Sequence, residues 1–264
     1  MITPIEKYGN IYVKRDDLFE IAGVRGGKAR TCWELSKDAV GLVTAGSRSS
    51  PQVNIVAHIA EKLGISCRVH VPQGEFTPEL ISAANRETNV EIIQHFPGYN
   101  TVICKRAIDD AKALNWTYIP FGMECTKAVD ETAKQVINIP LDINRIVVPV
   151  GSGMTLCGIL QGLKDNKLDI PVIGVVVGAS PKKRVEKYFG YAPNLTYVYS
   201  PYKYHEYSKD VFSLGLLLDP IYEAKTVPYL KDGDLLWVVG IRQSFVDELN
   251  EGWYEKKNFV QTDI

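Results

Sequence analysis

Runs of apolar, β-branched residues alternate with helix-periodic segments along most of this chain, which restricts it to layered α/β architectures with largely parallel sheets. Strands are predicted at residues 11–14, 41–44, 67–71, 90–94, 145–150, 172–177 and 235–239. Between them, Val53, Val56, Ala57, Ala60 and Leu63 share one face of a helix that Gly64 stops, and Ile103, Ala107, Ala111 and Leu114 share the face of another. At 264 residues with 45% apolar content, the chain can bury one large or two modest cores. No repeat or Pro/Ser linker marks a boundary. Topology alone predicts a small inserted α/β unit over residues 36–121, with residues 1–35 and 122–264 forming the larger body. The stretch 188–207, dense in Tyr, Pro and Asn, is expected to be irregular, either a lid or a long surface connection.

Thirty basic and 31 acidic residues give a net charge of −1, so no bulk field draws the protein toward nucleic acid or an anionic membrane. Residues 1–7 lack the apolar core of a signal peptide, and no run approaches the ~20 apolar residues of a membrane span. A cytoplasmic protein is expected. Cys32, Cys67, Cys104, Cys125 and Cys157 are odd in number and contain no CxxC pair, arguing against a disulfide framework or a zinc site. His58, His70, His95 and His205 have no metal-like spacing either, so no metal is expected.

Four stretches offer chemistry. In Gly26-Gly27-Lys28-Ala29-Arg30, the lysine stands at the start of an amphipathic segment, where a helix dipole and partial desolvation lower an amine toward neutrality. Such an amine can form a Schiff base, although a solvated lysine after a flexible Gly-Gly has the same signature. The apolar run 145–150 leads into Gly151-Ser152-Gly153-Met154-Thr155 and then a helical pattern. This is an anion site of backbone N–H groups and hydroxyls, or a plain tight βα turn. Gly151, Gly153 and Gly158 miss the dinucleotide spacing, and no Gly-Lys-Ser/Thr of a P-loop follows. Lysine and anion loop together suggest pyridoxal phosphate.

The third stretch, Asp219-Pro220-Ile221-Tyr222-Glu223, reads as an N-cap and N1 proline, with Glu223 in the first helical turn. Capping alone accounts for it. Alternatively, Tyr222 and Glu223 reach a site from that helix start, where a carboxylate beside a pyridine nitrogen strengthens the ring as an electron sink. In the fourth, Ser47-Arg48-Ser49-Ser50-Pro51-Gln52, Ser50 is a predicted N-cap with Pro51 at N1. The same turn presents N–H groups and hydroxyls to a substrate carboxylate.

In this order the stretches resemble the fold type II pyridoxal-phosphate enzymes, in particular the branch with 1-aminocyclopropane-1-carboxylate deaminase and D-cysteine desulfhydrase. Thr3-Pro4-Ile5-Glu6, residues 13–18 and Gly27-Lys28-Ala29-Arg30 are similar to that branch's opening, which implies Lys28 as the Schiff-base lysine. The resemblance further implies Gly151, Ser152, Gly153, Met154 and Thr155 as the phosphate loop, and Glu223 on the pyridine nitrogen. It places Tyr222 and Ser50 at the substrate, with Ser47, Ser49 and Gln52 around its carboxylate. The implied fold is tryptophan synthase β-like, and the implied assembly is a homodimer.

The chain departs from the branch where Ser50-Pro51-Gln52 replaces Ser-Asn-His, where Gly27 replaces an asparagine, and where Met154 replaces a loop glycine. The resemblance implies elimination or deamination of a small amino acid. The departures motivate two rival expectations. One is a larger substrate, such as a nucleotide- or DNA-base-linked amino acid undergoing decarboxylation, with Arg48, Lys182, Lys183 and Arg184 on phosphates. The other is an inactive ligand-binding relative.

Overall fold

The computed structural model describes residues 1–96, 98–242 and 245; Trp253 and the polar tail beyond residue 250 lie outside them. The chain opens with a hairpin of β1 (Ile5–Tyr8) and β2 (Ile11–Arg15), turned through Gly9 at φ +58°. A short ladder of β3 (Glu20–Ile21) and β4 (Val24–Arg25) leads into α1 (Gly27–Ser36). Strands and helices then alternate: β5 (Gly41–Ala45), α2 (Pro51–Leu63), β6 (Ser66–Pro72), α3 (Pro78–Ala84), β7 (Val90–His95), α4 (Asn100–Leu114) and β8 (Thr117–Ile119). After α5 (Thr126–Ala133) come β9 (Arg145–Val150), α6 (Met154–Asp165), β10 (Val172–Val176), α7 (Lys182–Tyr188) and β11 (Leu195–Tyr199). The ladder of β12 (Phe212–Ser213) and β13 (Leu216–Leu217) precedes β14 (Asp234–Val238).

Two sheets result. The larger has the order β1-β2-β14-β9-β10-β11, antiparallel only at β1; the smaller, β7-β6-β5-β8, is wholly parallel. The interior strands β5 and β14 are buried at every position, as parallel strands covered on both faces must be, and so they read as unbroken apolar runs. All seven predicted strands form. In the edge strands β7 and β11 no residue is fully buried, and β11 falls in the stretch expected to be irregular. Its Thr196 and Tyr199 face outward, which diluted the apolar signal, while its pairing with β10 supplies the order.

Helix α2 has the predicted ends. Ser50 Oγ accepts the N–H of Gln52 at 3.3 Å, Pro51 occupies the first turn, and Gly64 closes the helix at φ +68°. Against α5, α6 presents Gly158 and Gly162, where an added Cβ would lie 2.4 Å from Thr132 Cβ and 2.4 Å from Val136 Cγ2. Beneath α1 the charged turn that follows β2 points inward. Asp16, fully buried, holds Arg30 through two contacts of 2.5 and 3.0 Å and accepts from Trp237 Nε1 at 3.4 Å. This stretch fastens α1 to the larger sheet.

Candidate active site

Two glycines set the position of Lys28. Gly26 lies at φ +92°, and a Cβ there would meet Val239 O at 2.5 Å, while Gly27 donates its N–H to that same carbonyl at 3.0 Å. The start of α1 is thereby pressed onto the end of β14, and Lys28, in the first turn, opens into a cleft lined by α1, α2 and the loops after β9 and β14. Desolvation lowers the Lys28 ammonium to about 8, and the Arg242 charge adds to this against the opposing pull of Asp219 and Glu223.

The facing wall is the βα turn after β9. Gly151, Ser152, Gly153 and Thr155 line the cavity, and Gly153, at φ +91°, turns the chain into α6 so that the first-turn N–H groups of that helix are left for an anion. Met154 does not line it. Its side chain is buried in the main apolar core, so only the backbone of this residue belongs to the loop.

The 219–223 stretch differs from its predicted form. Asp219 Oδ1 does accept the N–H groups of Ile221 at 2.9 Å and Tyr222 at 3.1 Å, but no α-helix follows. The turn runs instead into a 3-10 segment, Glu223–Tyr229, because Pro228 cannot extend the α-helical ladder. Both Tyr222 and Glu223 line the cavity. Glu223 Oε1 accepts the N–H of Val239 at 2.8 Å, while Oε2 is buried with no partner. Burial and the nearby Asp219 charge raise this carboxyl well above its usual range.

Sequence reasoning missed four further residues here. Arg242 is buried in the wall, held by Asp219 Oδ2 at 2.9 Å and by Glu79 at 3.4 Å, and its N–H reaches Ser49 O at 3.4 Å. Tyr204 places its hydroxyl 2.8 Å from that of Tyr222. Lys225, buried, secures the Tyr204 segment by donating to Lys203 O at 2.8 Å and Tyr204 O at 3.2 Å. Asn54, 3% exposed, lines the cavity from α2 with Oδ1 unpartnered. A buried unpaired acceptor costs about 1–3 kcal/mol. The one local signal was Asn54's place on the buried face of α2, beside residues that read as core.

Ser47, Ser49, Ser50 and Gln52 do not line the cavity; Pro51, Asn54 and Ile55 do. Ser50 caps α2, and Gln52 turns inward, donating to Thr44 Oγ1 at 3.0 Å and Pro120 O at 2.8 Å. Of the basic side chains considered for phosphates, Arg184 is paired with Glu124 at 2.7 Å and Arg48 donates to Glu75 O at 2.8 Å.

The architecture is that of the fold type II pyridoxal-phosphate enzymes. It superimposes on a crystal structure of a 1-aminocyclopropane-1-carboxylate deaminase homologue with a TM-score of 0.76, at 23% identity over 95% of this chain and 94% of the other. The chain belongs to the pyridoxal-phosphate dependent enzyme family, whose pattern it matches over residues 3–190. Among relatives, a Thermotoga maritima protein provisionally named 1-aminocyclopropane-1-carboxylate deaminase is 28% identical, covering 83% of each chain. A D-cysteine desulfhydrase of Salmonella choleraesuis is 27% identical over 84% of this chain and 80% of its own. Pyridoxal phosphate is therefore the cofactor, and the cavity suits it. Lys28, the helix start after β9 and Glu223, one of whose carboxyl oxygens has no partner, all line one space.

Proposed function

We propose that this chain deaminates, or eliminates a β-substituent from, a small amino acid, with Lys28 as its covalent anchor. The observation that carries this reading is Glu223 Oε2, a buried acceptor left unpaired in the same cavity as Lys28. It suits a protonated ring nitrogen. Bound pyridoxal phosphate supplies an aldehyde that condenses with an amine, releasing water, and a ring that takes up the electron pair of a broken Cα bond.

The chain's own residues then have these parts. The backbone N–H groups of 151–155 would hold the phosphate, with the Ser152 and Thr155 hydroxyls available beside them. Lys28, the residue that would anchor the cofactor, would take the Cα proton at Nζ when its amine is free, a role its lowered pKa favours. Tyr222, whose hydroxyl is held protonated well above its usual range by burial and by Tyr204, donates a proton. The substrate carboxylate belongs at the cavity wall of Pro51 and Arg242, next to the turn of Ser47, Ser49 and Ser50, whose Ser49 carbonyl accepts from Arg242. Names of the relatives, a deaminase and a desulfhydrase, support this class of substrate.

The proposal includes two units, 36–121 and the remainder, since the smaller sheet is drawn wholly from residues 41–119 and the larger from 5–15 and 145–238. It includes a homodimer in the cytoplasm; no helix among the described residues is long and apolar enough to cross a membrane. Borohydride reduction followed by peptide mass mapping tests the anchor, with label expected on Lys28. An amino-acid panel scored for ammonia and oxo-acid release tests the reaction. A reduced adduct on another lysine, or absorbance changes with no product from any amino acid, overturns the reading.

A further inference from the structure

Arg242 is gripped firmly on one edge and loosely at the opposite corner. Its Nε donates to Asp219 Oδ2 at 2.9 Å and its Nη2 to Asp219 Oδ1 at 3.4 Å. Asp219 also accepts the backbone N–H groups of Ile221, Tyr222 and Arg242 itself, so that carboxylate is fixed by the turn that carries it. The other corner, Nη1, crosses the cleft to the turn before α2 and to α3, donating to Ser49 O and Glu79 Oε1, each at 3.4 Å. The side chains of Arg242 and Glu79 are 2% and 5% exposed, and both line the space that holds Lys28. Glu79 stands in the first turn of α3, where the helix dipole favours a carboxylate. A carboxylate in water serves that purpose equally well, so the dipole does not account for its burial against an arginine of the opposite wall.

A substrate carboxylate entering beside Glu79 would gather three carboxylates around one guanidinium, and a single cation does not offset the desolvation and repulsion of three buried anions. Exchange avoids that cost, since Arg242 then lies between two carboxylates before and after. The carboxylate free to leave is the one held at the longer distance and from the other side of the cleft. We propose that Glu79 is an internal placeholder for the substrate carboxylate, holding Nη1 of Arg242 until an amino acid displaces it. The inference rests on the reading of the cavity given above and takes from it the place of the carboxylate at Pro51 and Arg242. On displacement, Glu79 swings with the first turn of α3 to water, where its charge is hydrated. Two effects follow. The placeholder lowers the apparent affinity for any amino acid, because only protein with Arg242 released can bind it. An amine without a carboxylate cannot make the exchange, so Glu79 also favours amino acids over plain amines.

The test titrates holoenzyme with 2-aminoisobutyrate, which has an amine and a carboxylate but no Cα proton to lose, and with its amide, following the cofactor's visible band. Glu79→Gln keeps the shape of the side chain and removes its charge. The carboxylate form is expected to bind about tenfold more tightly to this variant than to wild type, the low end of the worth of a hydrogen bond to a charged group, while the amide stays within about twofold. Glu79→Asp, one methylene shorter, should tighten the carboxylate form in the same direction by less. In an Arg242→Gln background, Glu79→Gln should change neither affinity. A merely structural role for Glu79 predicts the opposite, weaker binding of both ligands with a lower thermal midpoint. Failure of both Glu79 variants to tighten 2-aminoisobutyrate overturns the proposal, whether or not wild type responds to it. Equal tightening of the amide, or tightening that survives in the Arg242→Gln background, overturns it as well. Borohydride trapping on wild type separates the two readings. If no cofactor is fixed to Lys28, the reading of the cavity falls and this one with it. If Lys28 is labelled and the carboxylate form is not tightened, only the role of Glu79 is refuted.

Discussion

The lowered pKa of Lys28 makes a quantitative demand on how the apo protein captures its cofactor. At pH 7, an amine with a pKa of about 8 is roughly one-tenth unprotonated, against about 0.03% at the ordinary lysine value of 10.5, a roughly 300-fold larger reactive pool. Only the unprotonated amine attacks an aldehyde. The second-order rate of capture should therefore rise with pH up to about 8 and then flatten, changing by less than about 1.2-fold between pH 9 and 10. An unshifted lysine would gain roughly eightfold over that last interval. Stopped-flow absorbance with pyridoxal phosphate measures the rate, and dividing by the rate constant of the unprotonated Nα-acetyl-lysine amine, its own titration at about 10.4 factored out, removes the cofactor's ionisations alone. Arg242→Gln tests the cause. It deletes a cation that lowers Lys28 and uncovers Asp219, which raises it, so both changes push the midpoint above 8. A normalised rate still climbing between pH 9 and 10 in wild type, or a midpoint that falls in Arg242→Gln, would refute the reasoning.

Three other outcomes follow from the packing. Asp16→Asn strips the buried Arg30 of its counter-charge and should cost about 3–5 kcal/mol in urea unfolding, without altering any group that lines the cavity. Gly162→Ala should destabilise by about 1–3 kcal/mol despite the gain of roughly 1 kcal/mol in helix propensity, since its Cβ would lie 2.6 Å from Ala133 O; a neutral result would show that α5 and α6 can separate at little cost. In native protein, a thiol-disulfide reagent at pH 8 should modify at most Cys104 and Cys125, because burial removes Cys32, Cys67 and Cys157 from contact and pushes Cys32 and Cys157 up to about 12. Five thiols should react after denaturation.

Everything set by neighbours along the chain could be read before folding. Strand β9, the turn 151–153 and the start of α6 lie in one run of residues, so apolar patterning and glycine placement were enough to locate an anion loop. The same held for Lys28 behind its two glycines and for the Ser50-Pro51 cap of α2, whose geometry depends on a few adjacent dihedral angles. Lysine and loop together suggested the cofactor, and resemblance added the roles of Glu223 and Tyr222 around it. Chain spacing could not show that Gly26 touches Val239, more than two hundred residues away, which is why Lys28 meets Glu223 at all. Nor could it show that Asp219 would turn from capping a helix to gripping Arg242, that Tyr204 would lean on Tyr222, or that Gln52 would point away from the cavity. Those contacts follow from the parallel sheet, which brings the carboxyl ends of β9 and β14 side by side and leaves their loops to face α1 and α2 across one cleft. Local preferences select the elements, whereas desolvation and the pairing of buried charges act only between elements already packed together.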